Sequence, residues 1–277
     1  AGDETGQRAG ERVAGDTEAD VYAALGLAWI PPELREDTGE VEAAAADALP
    51  DLIETDDVRG DLQCHTDYSD GSHSVREMAA AADERGLAYL LVTDHGPAAP
   101  IPSTLDADAF DAQRADIEAV NDDDAVSVTV LQGVETEITE SGVGVPDDWC
   151  ARCELVVAGL HSRPADPTER VVRALRDAPV DVLAHPTGRL LGERDPLDLD
   201  LDAVLETAAE EGVAVEINAQ PKRLDLDWQA VAAHRDAVDV VVSTDAHTTG
   251  ELDFMHLGVS QARRGWCESA DVLNTRS

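Results

Sequence analysis

From Arg59 onward, short apolar runs alternate with amphipathic stretches whose apolar positions recur every three or four residues. Apolar runs bounded by turn formers read as buried parallel strands, and the intervening period reads as helix. The pattern predicts strands over Arg59–His65, Ala88–Thr93, Val128–Val134, Glu154–Leu160, Val180–Ala184, Val213–Ile217 and Val238–Thr244. Between them it predicts helices from Ser74, where Ser74 and Glu77 form a capping box, over Asp106–Asn121, from Pro167 after Asp166, over Leu201–Glu211 up to Gly212, and over Trp228–Ala237. Seven strands alternating with helices at this spacing close most naturally as an α/β fold, a distorted TIM-like (β/α)7 barrel.

The first part of the chain reads differently. Residues 1 to about 16 are rich in Gly, Asp, Glu and Arg with no period, as in a linker. Thr17–Leu25 can form a short helix stopped by Gly26, Pro31 and Pro32 forbid its immediate continuation, and a second helix over Glu40–Leu49 ends at Pro50. This piece is too short to hold a core alone. The expected organisation is a helical segment over 1–58 and one barrel domain over 59–277.

Composition adds an extreme charge. The 277 residues carry 59 acidic against 20 basic side chains, a formal net charge of −39, with 43% hydrophobic and 3% aromatic residues. Low aromatic content and many acids can mark disorder, but the regular strand and helix patterns point to a folded protein with an acidic shell. Self-repulsion of this size is relieved when roughly molar salt shrinks the screening length to about 3 Å, so a salt-rich cytoplasm is expected. No apolar run approaches membrane-spanning length, so no membrane association is expected. The chain begins at Ala1 without a charged-then-apolar leader, which suggests a fragment or processed product rather than a secreted precursor. Four cysteines give no disulfide framework. Cys150 and Cys153 stand as C-x-x-C with no second pair at zinc-ribbon spacing, and Cys64 and Cys267 read as small buried hydrophobes.

The candidate chemistry gathers where strands end. Six of the seven strands carry His, Asp or Glu at or just after the C-terminal end: His65 with Asp70, Asp94 with His95, Glu135, His161, His185, and Asp245 with His247. Barrels of this type assemble their active sites at that face, and such clustering on otherwise apolar strands points to a metal site. His73 lies across a glycine turn and reads as a surface residue; His234 and His256 fall in helices away from strand ends. Asp61 and Asp94 flank the candidate ligands and could orient them. Arg163, Arg189, Arg194, Lys222 and Arg223 follow strand ends and could meet phosphate oxygens. The D-x-D spacings at Asp198, Asp200 and Asp202, and at Asp225 and Asp227, precede helices and read as solvated caps.

At these residues the chain resembles the polymerase and histidinol phosphatase (PHP) domain, in the version found at the C-terminus of family X DNA polymerases. The matching elements are SDG at Ser69–Gly71, TDH at Thr93–His95, Glu135, GLHS around His161, AHPTGR at Ala184–Arg189, EINAQP at Glu216–Pro221 and STDAH at Ser243–His247. The segment Asp16–Asp37 also looks like the end of a polymerase thumb. The resemblance implies a cluster of up to three divalent ions, zinc or manganese. By it, His65, Glu135 and Asp245 with position 63 hold the first ion, Asp70, His95 and His247 the second, and His161, His185 and a bridging Glu135 the third. Glu135, Asp245 and Arg189 are the residues it implies for catalysis. The family motif has a histidine where this chain has Gln63, a neutral and weaker ligand.

The implied activity is phosphoester hydrolysis at DNA 3′ ends, with the polymerase domains lying outside this chain as partners. Two other readings are an accessory domain weakened by Gln63, which stabilises a polymerase, and a small-molecule phosphatase of the histidinol phosphate type. A net charge of −39 disfavours long nonspecific contact with DNA.

Overall fold

The computed structural model describes residues 14–276, so most of the linker expected over 1–16 lies outside the described residues. The chain divides between Asp51 and Leu52 into two compact units. In the first, α1 (Glu18–Ala24) starts at Thr17, whose side chain caps Asp20 in a capping box, and stops at Gly26, which takes the left-handed φ of 75°. Arg35 reaches back to Glu18 with both terminal guanidinium nitrogens, at 2.7 and 3.2 Å. Helix α2 (Glu40–Ala45) ends four residues before the expected Leu49, because the chain turns at Asp47, φ 54°.

The second unit is the barrel. Strands β1 (Gly60–Cys64), β2 (Tyr89–Val92), β3 (Thr129–Thr139), β5 (Leu155–Gly159), β6 (Val182–Leu183), β7 (Ala214–Asn218) and β8 (Val240–Ser243) pair in that order, all parallel. Helices α3 (Val75–Glu84), α4 (Ala107–Asn121), α6 (Pro167–Asp177), α7 (Leu201–Glu211) and α8 (Trp228–His234) link them, and α9 (Met255–Arg264) follows β8. Ser74 and Glu77 form the expected capping box on α3, and Gly212 ends α7 with φ 69°. Leu62, Leu91, Val157, Val182, Ala184, Ala214 and Val241 form one buried cluster contributed by six strands or their ends. The larger clusters lie between strands and helices.

Two features depart from the expected pattern. Strand β3 does not end before Glu135 but continues through Thr139 and turns back into β4 (Gly142–Val143), an antiparallel hairpin followed by α5 (Asp147–Cys150). The alternation Thr136–Thr139 fits a strand, and Glu137 hides it because that carboxylate is buried. The seam between β1 and β8 is closed largely by side chains. Asn274 donates to Gly60 O and Val242 O and accepts from Val242 N, while Asp61 accepts from Thr244 N and Oγ1. Above them Cys64 forms a bridge to Ala246.

Candidate metal centre

At the C-terminal end of β1 the pairing register shifts between Asp61 and Cys64. Cys64 packs with Met78 and Val92 towards the helices, and fully buried His65 follows with its backbone N–H on Ala246 O, 2.8 Å. The loop then turns sharply: Gly71 N bonds Thr66 O, and a Cβ on Gly71 would fall 2.4 Å from His65 O, so only glycine fits. Asp94 fixes this loop from the end of β2, accepting from Thr66 N at 2.8 Å and from Gln113 at 2.7 Å, with Ser69 Oγ also bonded. Asp61 and Asp94 therefore anchor backbone and hydroxyls around the histidines and do not touch their rings.

Glu135 is the centre, 1% exposed and contributed by the middle of β3. Its Oε2 lies 3.3 Å from both His65 Nε2 and His95 Nδ1, and its Oε1 lies 3.1 Å from His161 Nε2 and 2.9 Å from His185 Nε2. Asp245 Oδ1 lies 3.1 Å from His65 Nε2. Asp70 Oδ2 lies 3.4 Å from His247 Nε2, and its Oδ1 3.7 Å from His95 Nε2. Three overlapping sets place their donor atoms within 4.8 Å of one another: His65, Asp70, His95 and His247; His95, Glu135 and His161; His65, Glu135 and Asp245. His185 belongs to none of the three sets and joins through Glu135, with its ring edge-on to His161 at 5.0 Å, and His95 belongs to two sets.

The donors converge without fully satisfying one another: His185 Nε2 and Glu135 Oε1 are hydrogen-bonded at 2.9 Å, but other donor atoms are left over. Both nitrogens of His65, Nδ1 of His95, and both amide atoms of Gln63 are buried with no hydrogen-bond partner. Unpaired buried polar atoms are costly, and imidazoles and carboxylates at these separations are what a divalent cation would satisfy. Burial alone would raise the Glu135 carboxyl, yet His95 and His161 hold it well below its usual range. Burial opposes charge on His161 too, but Glu135 and Glu137 push its imidazole up to about 9. His185 goes the other way, down to about 4, through burial and then the nearby Arg223 charge.

Two of the carboxylates that position these histidines, Glu137 and Glu251, escape sequence reasoning. Glu137 accepts from His161 Nδ1 at 2.8 Å and from the backbone of His161 and Ser162, fixing the ring that faces Glu135. Glu216 accepts from His185 N, and Asn218 links Glu216 to Asp245. Glu251 holds His247 N at 2.7 Å. Glu216 and Asn218 stand in EINAQP and were thus visible as part of a motif; Glu137 and Glu251 carried no signal.

Among the remaining candidates, Arg189 does not present its guanidinium to the donors: it bonds Arg223 O, Leu224 O and Asp227. His73 accepts from Thr249 N outside the three sets, His234 pairs with Asp202, and His256 contacts Asp253 O. Cys150 and Cys153 pack beside Phe110 and Trp149, and burial pushes the Cys153 thiol up to about 12. Asp200 and Asp227 are helix caps as expected. Asp225 is not: it is wholly buried and accepts from Thr187 N and Gly188 N.

A near-closed parallel barrel with histidines and carboxylates converging at its C-terminal face defines a candidate centre for divalent metal ions. The PHP domain family model matches residues 61–264, and the chain belongs to the PHP family. The DNA polymerase beta thumb model matches residues 4–36. DNA polymerase/3′-5′ exonuclease PolX of Bacillus subtilis is 39% identical over 267 residues, covering 94% of this chain and 46% of that protein. The chain thus spans about half the length of this relative. In fold it is similar to the hisK protein of Listeria monocytogenes, with a TM-score of 0.57, 13% identity and coverage of 70% of this chain and 97% of that one. It is also similar to histidinol phosphate phosphatase from Lactococcus lactis, solved with zinc, L-histidinol and phosphate, with a TM-score of 0.54, 14% identity and coverage of 74% and 93%. Among the described residues, no helix is long and apolar enough to cross a membrane.

Proposed function

We propose that residues 59–277 are the PHP hydrolase of a family X DNA polymerase, acting on phosphoesters at DNA 3′ ends, and that residues 1–58 are the end of its thumb. The observation that carries the reading is the convergence of three donor sets on Glu135 and His65. The relation to PolX supports a DNA substrate, and the thumb match supports polymerase domains as partners. The proposed ligands are Gln63, His65, Asp70, His95, Glu135, His161, His185, Asp245 and His247, for up to three zinc or manganese ions. Ions held there supply the Lewis acidity that acidifies water and polarises a phosphoryl oxygen. The chain's own residues fix the geometry: Glu137 aims His161, Glu216 aims His185 through its backbone, and Glu135 and Asp245 offer carboxylates to more than one neighbour.

The test is metal content together with hydrolysis of a 3′-ended oligonucleotide, in molar salt with manganese or zinc. The expected result is metal-dependent release of nucleotide or phosphate, reduced at least about 100-fold in His161→Ala. Protein that binds no metal and cleaves nothing would establish the accessory reading, which Gln63 favours. Turnover of histidinol phosphate in preference to DNA would establish the small-molecule reading.

A further inference from the structure

Basic side chains are scarce here, 20 against 59 acids, and most of those on the barrel surface sit on a carboxylate, as Arg76 does on Asp123, Arg85 on Asp253 and Arg114 on Glu154. Three arginines stand beside the candidate metal centre, and two of them, Arg163 and Arg194, behave differently. Arg163 follows β5, Arg194 follows β6 and Arg223 follows β7, so consecutive loops bring them to the face that carries the donors. Among the described residues the Arg163 side chain donates to the carbonyls of Asp195 and Pro196, both at 3.1 Å, and the Arg194 side chain to Gly188 O at 2.9 Å. Among the described residues neither has a carboxylate within ion-pair distance. Glu193, next to Arg194, pairs with Lys222 instead.

Arg223 lies deepest. Its side chain is 17% exposed, its Nε stands 3.4 Å from Asp245 Oδ2, and its Nη1 is buried with no partner. Asp245 in turn approaches His65, so the free end of Arg223 borders the donor cluster. Arg189 cannot fill this place, because its three donating nitrogens are spent on Arg223 O, Leu224 O and Asp227. Its bonds hold the loop that carries Arg223, and Asp225 ties the same loop to Thr187 and Gly188. The Arg194 guanidinium is depressed first by burial and then by the like charges of Arg223 and Arg163. Like charges held together against repulsion, Arg163 and Arg194 with neutral carbonyls as partners and Arg223 with one nitrogen left over beyond its contact with Asp245, call for an anion.

We infer that Arg223, Arg194 and Arg163 form an anion track for two consecutive phosphates of a nucleic-acid strand: Arg223 grips the phosphate that reacts, and Arg194 with Arg163 take its neighbour. Arg189 is the positioning residue for Arg223. The inference rests on the proposed phosphoesterase reading and adds a preference for a strand over a lone phosphate monoester. Guanidinium suits this task because its planar fork matches phosphate oxygens.

The test compares a 3′-ended oligonucleotide with p-nitrophenyl phosphate, on the full chain with manganese at fixed salt. Arg163→Ala and Arg194→Ala should each raise KM for the oligonucleotide about tenfold relative to KM for the monoester, as loss of a charge-assisted phosphate contact implies. Lysine at either position should recover part of that loss, which a collapsed loop would not. Arg223→Ala should depress kcat/KM on both substrates. Anisotropy of a labelled oligonucleotide titrated with metal-free protein should rank the variants in the same order, with a shallower salt dependence after each loss. Equal losses on both substrates from Arg163→Ala and Arg194→Ala, or full activity in Arg223→Ala, would overturn the track. Wild-type protein that hydrolyses only the monoester would instead overturn the DNA reading, and an unchanged binding order would then overturn the track as well.

Discussion

Gln63 is 1% exposed, yet neither its carbonyl oxygen nor its amide nitrogen has a partner. A buried amide with both ends unpaired is unstable by about 1–3 kcal/mol unless something else completes it. A cation shared with His65, Glu135 and Asp245 would use only the oxygen. Imidazole at this position is a stronger donor, so Gln63→His is expected to tighten binding of a divalent ion by about tenfold or more, read by competition with a chelator. Equal affinity in the two proteins would mean that position 63 is no ligand. Asp225 gives a second residue-scale prediction. Burial raises its carboxyl to about 6, although the Thr187 and Gly188 N–H groups, Arg189 and Arg223 all favour the charged form. Its folded pKa exceeds its unfolded value near 3.9, so the folded state binds the extra proton between about pH 4 and pH 6. The associated stability is present below that window and is lost as pH rises through it, up to about 3 kcal/mol. Asparagine keeps an oxygen for the two N–H groups and cannot titrate. The stability difference between wild type and Asp225→Asn in chelator should therefore swing across pH 4 to 6 in denaturant melts; a difference independent of pH would refute it.

At the scale of elements, what could be read from the sequence was whatever depends on local pattern. The seven parallel strands, the cap at Ser74, the stop at Gly212 and the strand-end placement of His65, His95, His185 and Asp245 all follow from periodicity and turn chemistry. The features that escaped depend on distant partners. Glu137 falls among polar residues, Glu135, Thr136 and Thr139, and its bonds to His161 and Ser162, which follow β5, explain why a carboxylate is buried there. Arg189 stands in a phosphatase motif, yet its orientation is set by carbonyls more than thirty residues away. Asn274 shows the same limit near the C-terminus. Its amide closes the β1–β8 seam with three hydrogen bonds, to Gly60 O, Val242 O and Val242 N. Asn274→Ala would leave three buried backbone groups unpaired, so a loss of about 3 kcal/mol is expected in urea denaturation. A loss below about 0.5 kcal/mol would show that the seam relies on strand packing instead.

At the scale of the whole molecule the charge decides the conditions under which the fold and site operate. Screening acts in two directions. It weakens exposed pairs such as Arg76–Asp123 and Arg152–Asp111, each worth about 0.2–1 kcal/mol. It also relieves repulsion among acids that outnumber bases by 59 to 20, so that no arrangement of pairs can neutralise most of them. Because the excess is 39 charges and the pairs are few, relief dominates. As the screening length falls from about 10 Å at 0.1 M salt to about 3 Å at 1 M, the melting temperature is expected to rise by about 5 °C or more. Sucrose at equal osmolality separates the causes, since it strengthens apolar burial without screening charge. A rise in potassium chloride well beyond that in sucrose would assign the effect to the acidic surface, and a flat melting curve from 0.1 to 2 M salt would refute it. The same screening weakens contact with phosphates. A net charge of −39 offers no diffuse attraction to DNA at any salt concentration, which would make a few arginines fixed beside the candidate metal ligands a more effective means of holding the strand end proposed above.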